Sequence, residues 1–438
     1  MRTMVKIGIV AAAAGLGIAA CHVGGGYTVG GTVTGLQGSG LVLQNNSGDN
    51  LRPGTSGSFV FTSSIDQGGA YSVTVLTQPS GQSCVVHNGS GTVGTADITN
   101  VVVTCTQPGR FAYVVNQGSN SISAYSIDAA NGTLSPVSGS PFASTGTTPV
   151  AAVVDPNGTY LYVANHDSNN VSVFAIDSAT GALSSAGEPI AAGNGPFAVL
   201  VDPADQFLYV ANMTDNTVSV FAIESGGTAA PISGSPFAVG NQPTSMKTDP
   251  GGNFLYVTDF ADGTVAAFSI ETGAGSIAAI GGSPFGSGAG ALAITIDPTG
   301  TLAYVANETA KTIAGYSINT GTGELAALSG FPLSTGSSPE AVTVDPAGRY
   351  LYAANVISAN ELTSFSITPS TGAVTRASSV GVGTFPLCVV IDPSGQFAYV
   401  ANEDADTVSV LSIDSITGAL AAVGTFAAGS QPRSIAID

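Results

Sequence analysis

Apolar and polar residues alternate in short runs along most of the chain, and from residue 107 onward the runs recur in a fixed order. Each unit opens with a run ending in Asp, usually Asp-Pro. It continues through Tyr-Val-Ala-Asn or a close variant, a polar loop, and a run such as Thr-Val-Ser-Val-Phe-Ala-Ile. Period-two alternation over so few residues predicts strands with distinct faces. A Gly-bearing turn follows, as at Asn131-Gly132, Thr180-Gly181, Thr371-Gly372 and Thr417-Gly418, then a fourth run often ending near Phe142, Phe237 or Phe285. Glycine suits such tight hairpins because it tolerates positive φ. The central tyrosines are Tyr113, Tyr162, Tyr209, Tyr256, Tyr304, Tyr352 and Tyr399, spaced by subtraction at 49, 47, 47, 48, 48 and 47 residues. Four short strands repeating at that period predict the blades of a β-propeller.

The ends of the array carry further information. The Tyr113 unit lacks its leading run, and the last residues, Ser430 to Asp438, match the missing piece. The C-terminal strand is therefore expected to complete the first blade, giving seven blades and no open edge. Four positions before each Asp stands Ala151, Ala198, Ser245, Ala293, Ala341, Cys388 or Ser434, all small. The next position holds Ala152, Val199, Met246, Ile294, Val342, Val389 or Ile435, mostly larger. Alternation turns these columns toward opposite neighbours, which identifies the strand nearest the axis.

Residues 27–106 have a different character. Runs such as Gly40-Leu41-Val42-Leu43, Phe59-Val60-Phe61, Tyr71–Val75 and Val101–Val103 alternate without the propeller period. They predict a small β-sandwich. The whole is an all-β chain: a sandwich, then a propeller over residues 107–438.

Composition narrows the partners. Across 438 residues there are 28 acids and 9 bases, a net charge of −19. Such a surface repels phosphate backbones, so nucleic acid is excluded as a partner. Residues 1–20 read as an export signal, with Arg2 and Lys6 before an apolar stretch from Ile7 to Ala20 that is short for a membrane span. The sequence Ile18-Ala19-Ala20-Cys21 resembles a lipoprotein lipobox. It implies acylation of Cys21, a spacer over 21–26, and an extracytoplasmic place in a bacterial envelope, with His22 favouring the outer membrane. Membrane contact is expected through that lipid alone. Of the other cysteines, Cys84 and Cys105 fall in the sandwich and are expected to bridge, while Cys388 reads as a small buried hydrophobe.

The Tyr-Val-Ala-Asn and Asn-Thr-Val-Ser-Val runs resemble the YVTN-type repeat of bacterial and archaeal surface proteins. Over residues 107–438 the chain also resembles the seven-bladed lactonase family, whose named member is 6-phosphogluconolactonase. That resemblance implies a ligand face built from the loops before each inner strand and after each Tyr-Val-Ala-Asn. The column closing the second strand is Asn116, Asn165, Asn212, Asp259, Asn307, Asn355 and Asn402, expected to brace its turns. Asp259 breaks the column.

Candidate ligand contacts on that face are Asp167, Asp215, Asp259, Asp262, Glu308, Lys311, Glu340 and Glu403. Lys247 stands within an inner strand where other copies are uncharged, and Asp259 is its expected ion-pair partner. Lactone hydrolysis needs a base for water and a positive group for the developing oxyanion. His166, Lys247 and Arg433 are the candidate catalytic residues. No local pattern resembles a zinc site or phosphate loop, no cofactor is implied, and the acids Glu403, Asp404 and Asp406 allow at most weak Ca²⁺ binding. The scarcity of catalytic groups favours a scaffold that presents its loop face to a protein or glycan. An exported lactonase acting at the channel mouth is the alternative, and a structural surface protein the third reading.

Overall fold

The computed structural model describes residues 26–36, 40–79, 82–106, 111–356 and 360–438. Cys21, the export segment and Arg110 lie outside them. In the first unit one sheet has the strand order Gly57–Val60, Val29–Thr34, Ile98–Thr106, Ser83–His87. The other runs Asp49–Leu51, Val42–Asn45, Ala70–Thr77, Ser90–Thr92. They share a core of Val29, Leu41, Leu43, Phe61, Val101 and Val103, so this unit is a β-sandwich. Cys84 and Cys105 stand opposite each other on paired strands and form the disulfide. The bridge spans 21 residues of sequence, so losing it frees an unfolded loop worth about 3 kcal/mol. The double Cys84→Ala, Cys105→Ala variant is expected to lower the sandwich's thermal transition and leave that of the propeller in place, as read by calorimetry of the whole chain.

Seven further sheets follow. Blade 2 shows the pattern: Pro149–Val154 innermost, then Tyr160–Asn165, Asn170–Ile176 and Leu183–Ser185, all antiparallel neighbours. Blade 1 draws its inner strand, Pro432–Ile437, from the end of the chain. That strand pairs with Phe111–Asn116 in the register Pro432↔Asn116, Ile435↔Val114, Ala436↔Tyr113. Asp438 completes the joint by accepting a 2.7 Å hydrogen bond from Phe111 N on Oδ1. The equivalent Asp155 accepts from Tyr160 N at 2.8 Å within one turn, so the terminal residue repeats across the chain break what each Asp-Pro does locally. Ring closure by the C-terminal strand is as the repeat implied.

The small and large columns face opposite neighbours. Ala198 packs into the core between blades 3 and 4, and Val199 into the core between blades 2 and 3. The repeated tyrosine has a cross-blade task. All seven rings are fully buried. The hydroxyl of Tyr162 donates to Gly227 O at 3.0 Å, that of Tyr304 to Gly372 O at 2.8 Å, and that of Tyr399 to Gly132 O at 3.1 Å. Each acceptor is a turn glycine of the following blade, so every such bond staples two sheets while satisfying a buried hydroxyl. In blade 6 the Ser364 hydroxyl occupies the corresponding carbonyl, Gly418 O, at 2.7 Å.

Candidate functional site

The inner strands enclose an axial channel with a cavity of about 470 Å³, lined by residues that include Val150, Phe197, Lys247, Glu340, Cys388 and Arg433. Its mouth is made by two rings. The first lies at the bulge where each inner strand shifts register against its neighbour, at Val150, Phe197, Thr244, Leu292, Glu340, Leu387 and Arg433. The bulge leaves that residue out of the pairing and re-aims its side chain. The second ring directly follows the buried Asn column, at Gln117, His166, Met213, Phe260, Glu308, Val356 and Glu403. Backbone bonds tie it to the preceding loop: His166 N to Thr148 O at 2.9 Å, Glu308 N to Gly290 O at 2.8 Å, Glu403 N to Phe385 O at 2.9 Å.

Five of the polar members of these rings act on one another. Arg433 Nη1 donates to Gln117 Oε1 at 3.2 Å and lies 3.8 Å from Glu403 Oε1. The Arg433 guanidinium carbon sits 4.9 Å from the centre of the Phe197 ring, a cation–π contact that holds the head group at the mouth. Glu340 is half-buried. Burial pushes its carboxyl up to about 7, the charges of Glu308 and Glu403 add to the rise, and Arg433 opposes it. Burial also raises Glu403, against the pull of Arg433. The mouth thus holds one carboxyl poised near neutrality within electrostatic reach of one permanent cation. That pair can take a proton from water and stabilise a developing oxyanion.

His166 stands on the same rim. Its Nδ1 is 2.7 Å from Asp167 Oδ1, and Asp167 Oδ2 accepts from Thr148 Oγ1 at 2.6 Å. The Thr148 bond first, then His166, holds the Asp167 carboxyl below its usual range. Nε2 lies against Gly195, two residues before Phe197, where an added Cβ would come within 3.2 Å of it.

Other expected contacts serve the frame. Asp215 accepts from Asn194 N at 2.7 Å and Asn194 Nδ2 at 2.9 Å, and Asp262 repeats this with Asn241 at 2.8 and 2.9 Å. Lys311 takes the left-handed turn position, φ 57°, and is exposed away from the channel lining. Among the described residues no group of three His, Cys, Asp or Glu is placed to hold a metal ion.

The expected pairing of Lys247 with Asp259 is incorrect. Lys247 lies opposite Tyr256, whereas Asp259 lies opposite Pro243 at the other end of the strand pair. Lys247 faces the channel. Asp259 is fully buried in its turn beside Gly240, accepting from Thr264 Oγ1 at 3.3 Å on Oδ2 while Oδ1 has no partner. Its neighbours in the column are amides with structural bonds, such as Asn116, which accepts from Gly429 N at 3.1 Å and donates to Ser123 Oγ at 3.0 Å. Burial pushes Asp259 up to about 7, against the bond from Thr264. A raised folded value means that ionisation destabilises the fold. The penalty begins above the unfolded value near 3.8 and is complete once pH passes about 7. Asp259→Asn is therefore expected to stabilise the propeller by about 1–4 kcal/mol at pH 8 and by little at pH 4. Denaturant unfolding at the two pH values reads the difference.

Seven blades thus close into a ring whose channel mouth carries an acidic carboxyl and a guanidinium. The chain belongs to the family described as lactonase, 7-bladed beta-propeller, which it matches over residues 70–197, 188–285 and 245–437. Solved structures share the fold, three of them as follows. A candidate 6-phosphogluconolactonase from Bacteroides uniformis is 22% identical over 75% of this chain and 99% of its own, with a TM-score of 0.67. A protein from Lactobacillus plantarum is 20% identical over 76% of this chain and 100% of its own, with a TM-score of 0.65. The periplasmic gluconolactonase of Pseudomonas aeruginosa is 20% identical over 75% of this chain and 98% of its own, with a TM-score of 0.63. No curated protein matches the sequence.

Proposed function

We propose that the protein is a lactonase that opens unphosphorylated cyclic esters at the channel mouth. Family membership supports this reading, and one observation carries it to particular residues: Glu340, poised at about 7, shares the mouth with Arg433. Ionised Glu340 takes a proton from water as the oxygen attacks the lactone carbonyl. Arg433, with five donors of which Gln117 takes one, stabilises the resulting oxyanion. Collapse breaks the ring C–O bond, and the departing oxygen recovers the proton from Glu340. The product is an open hydroxy acid, whose new carboxylate is repelled by Glu308 and Glu403.

Three acids and a single arginine at the mouth are a poor receptor for a phosphate, which favours clusters of Arg or Lys. An acylated Cys21 would hold the enzyme outside the cytoplasm, and the Cys84–Cys105 bridge suits an oxidising compartment. Hydrolysis of a panel of γ- and δ-lactones, followed by proton release, tests the activity. Turnover that depends on Glu340 is the expected result. An inert panel would overturn the assignment and return a protein- or glycan-binding scaffold as the better reading.

A further inference from the structure

Lys247 is the one titratable lining group of the channel, apart from the Cys388 thiol, that the hydrolytic step leaves unused. It projects from the inner strand of blade 4, Pro243–Thr248, into the same cavity that holds Glu340 and Arg433. Its side chain is exposed to the lumen, with the channel wall around it. It stands three residues further along its strand than the mouth ring, which at the usual strand rise is roughly 10 Å deeper.

The channel lining it shares includes Val153, Val390, Ala436, Thr343 and Cys388, and of these the Cys388 thiol acts on it electrostatically. No carboxylate forms an ion pair with it among the described residues. Cys388 cannot serve as counter-ion, since burial raises its thiol and keeps it neutral. Desolvation by the channel wall lowers the lysine in turn, and only the weak pull of Cys388 opposes it. An anion entering the channel would supply the missing partner. A single ammonium suits a monoanion such as a carboxylate better than a dianionic phosphate, which is bound by several donors.

We propose that Lys247 forms an anion subsite in the channel, so that the preferred substrates are lactones bearing a carboxylate on a flexible arm. The ring lies at the mouth against Glu340 and Arg433, and the arm runs down the apolar wall to the ammonium. The assignment of the ring rests on the lactonase reading, whereas the subsite can be tested without turnover.

Octanoate and 1-octanol are the probes, titrated calorimetrically at pH 7.5 into the full chain, into Lys247→Met and into Lys247→Arg. Methionine keeps the volume and the apolar lining, and thermal unfolding reports whether each variant is folded. The wild type is expected to bind octanoate and not octanol. Binding should weaken about tenfold or more in Lys247→Met and return in Lys247→Arg. Equal octanoate affinity in the wild type and Lys247→Met, or none in either, would overturn the subsite. For turnover, two δ-lactones that differ only in a pentyl or a carboxybutyl arm are compared. Preference for the acid arm should fall toward unity in Lys247→Met. A protein that binds octanoate through Lys247 and opens no lactone sinks only the hydrolase reading. One that opens lactones with identical octanoate binding in both forms sinks only the subsite.

Discussion

Glu340→Gln is expected to lower kcat/KM for lactone opening by about 10²–10⁴-fold, the usual range for removing a general base. Glutamine keeps the shape of the side chain at the mouth but cannot accept a proton at neutral pH. The pH profile separates this role from a structural one. With the carboxyl pushed up to about 7, wild-type kcat/KM should rise with pH and reach half its plateau near that value. At pH 5 the side chain is expected to be mostly protonated and turnover slow. In Glu340→Gln the residual rate should lose that inflection. Stability should move the other way. Because the folded value lies above the unfolded one near 4.5, ionising Glu340 costs the fold progressively between 4.5 and about 7. The variant is then as stable as the wild type at pH 4 and more stable at pH 8. Full activity in a folded Glu340→Gln would end the assignment of this carboxyl as the base.

The frame was legible because its causes are local and repeated. An Asp that caps its own turn, a Gly that needs positive φ and strands of alternating residues leave the same marks in every blade, so the sequence reading reached blade number and ring closure. The site is written differently. Glu340, Glu403 and Arg433 lie in separate units, and only the circular arrangement brings blades 6, 7 and 1 side by side. The two rings could each be named as variable columns, yet nothing in one unit says that the residue after Asn402 faces the bulge residue of the following inner strand. Lys247 and Asp259 were joined wrongly for a related reason. Both are charged departures in one blade, but antiparallel register sends them to opposite ends of the strand pair. The purpose of the tyrosines was equally hidden, because the carbonyl that six of the seven bind lies in the next blade, 65 residues away for Tyr162 and 68 for Tyr304, while the Tyr352 hydroxyl finds no partner.

Deleting residues 430–438 should abolish the cooperative unfolding transition of the propeller and leave a chain that aggregates. The segment supplies the whole inner strand of blade 1. Ile435 and Ala436 are buried in the cores on either side of that blade, so two blade interfaces lose contacts at once. Burying an isoleucine is worth roughly 1.5–3 kcal/mol, and the strand also carries Pro432, Ile437 and the ladder bonds to Phe111–Asn116. Those losses together approach the roughly 5–15 kcal/mol by which a domain is stable. The opened ring would also expose the unpaired edge of Phe111–Asn116 and the adjoining edges of its neighbours, ready templates for pairing between molecules. Size-exclusion chromatography and calorimetry read both effects. Asp438→Asn tests the joint more gently: it keeps the strand and an acceptor for Phe111 N, so a folded monomer with a modestly lower transition is expected. Should the truncated chain instead unfold as cooperatively as the wild type, the strand would not be closing the ring. Arg433 would then have no fixed place beside Glu340, since the same nine residues that lock the circle carry the cation of the site.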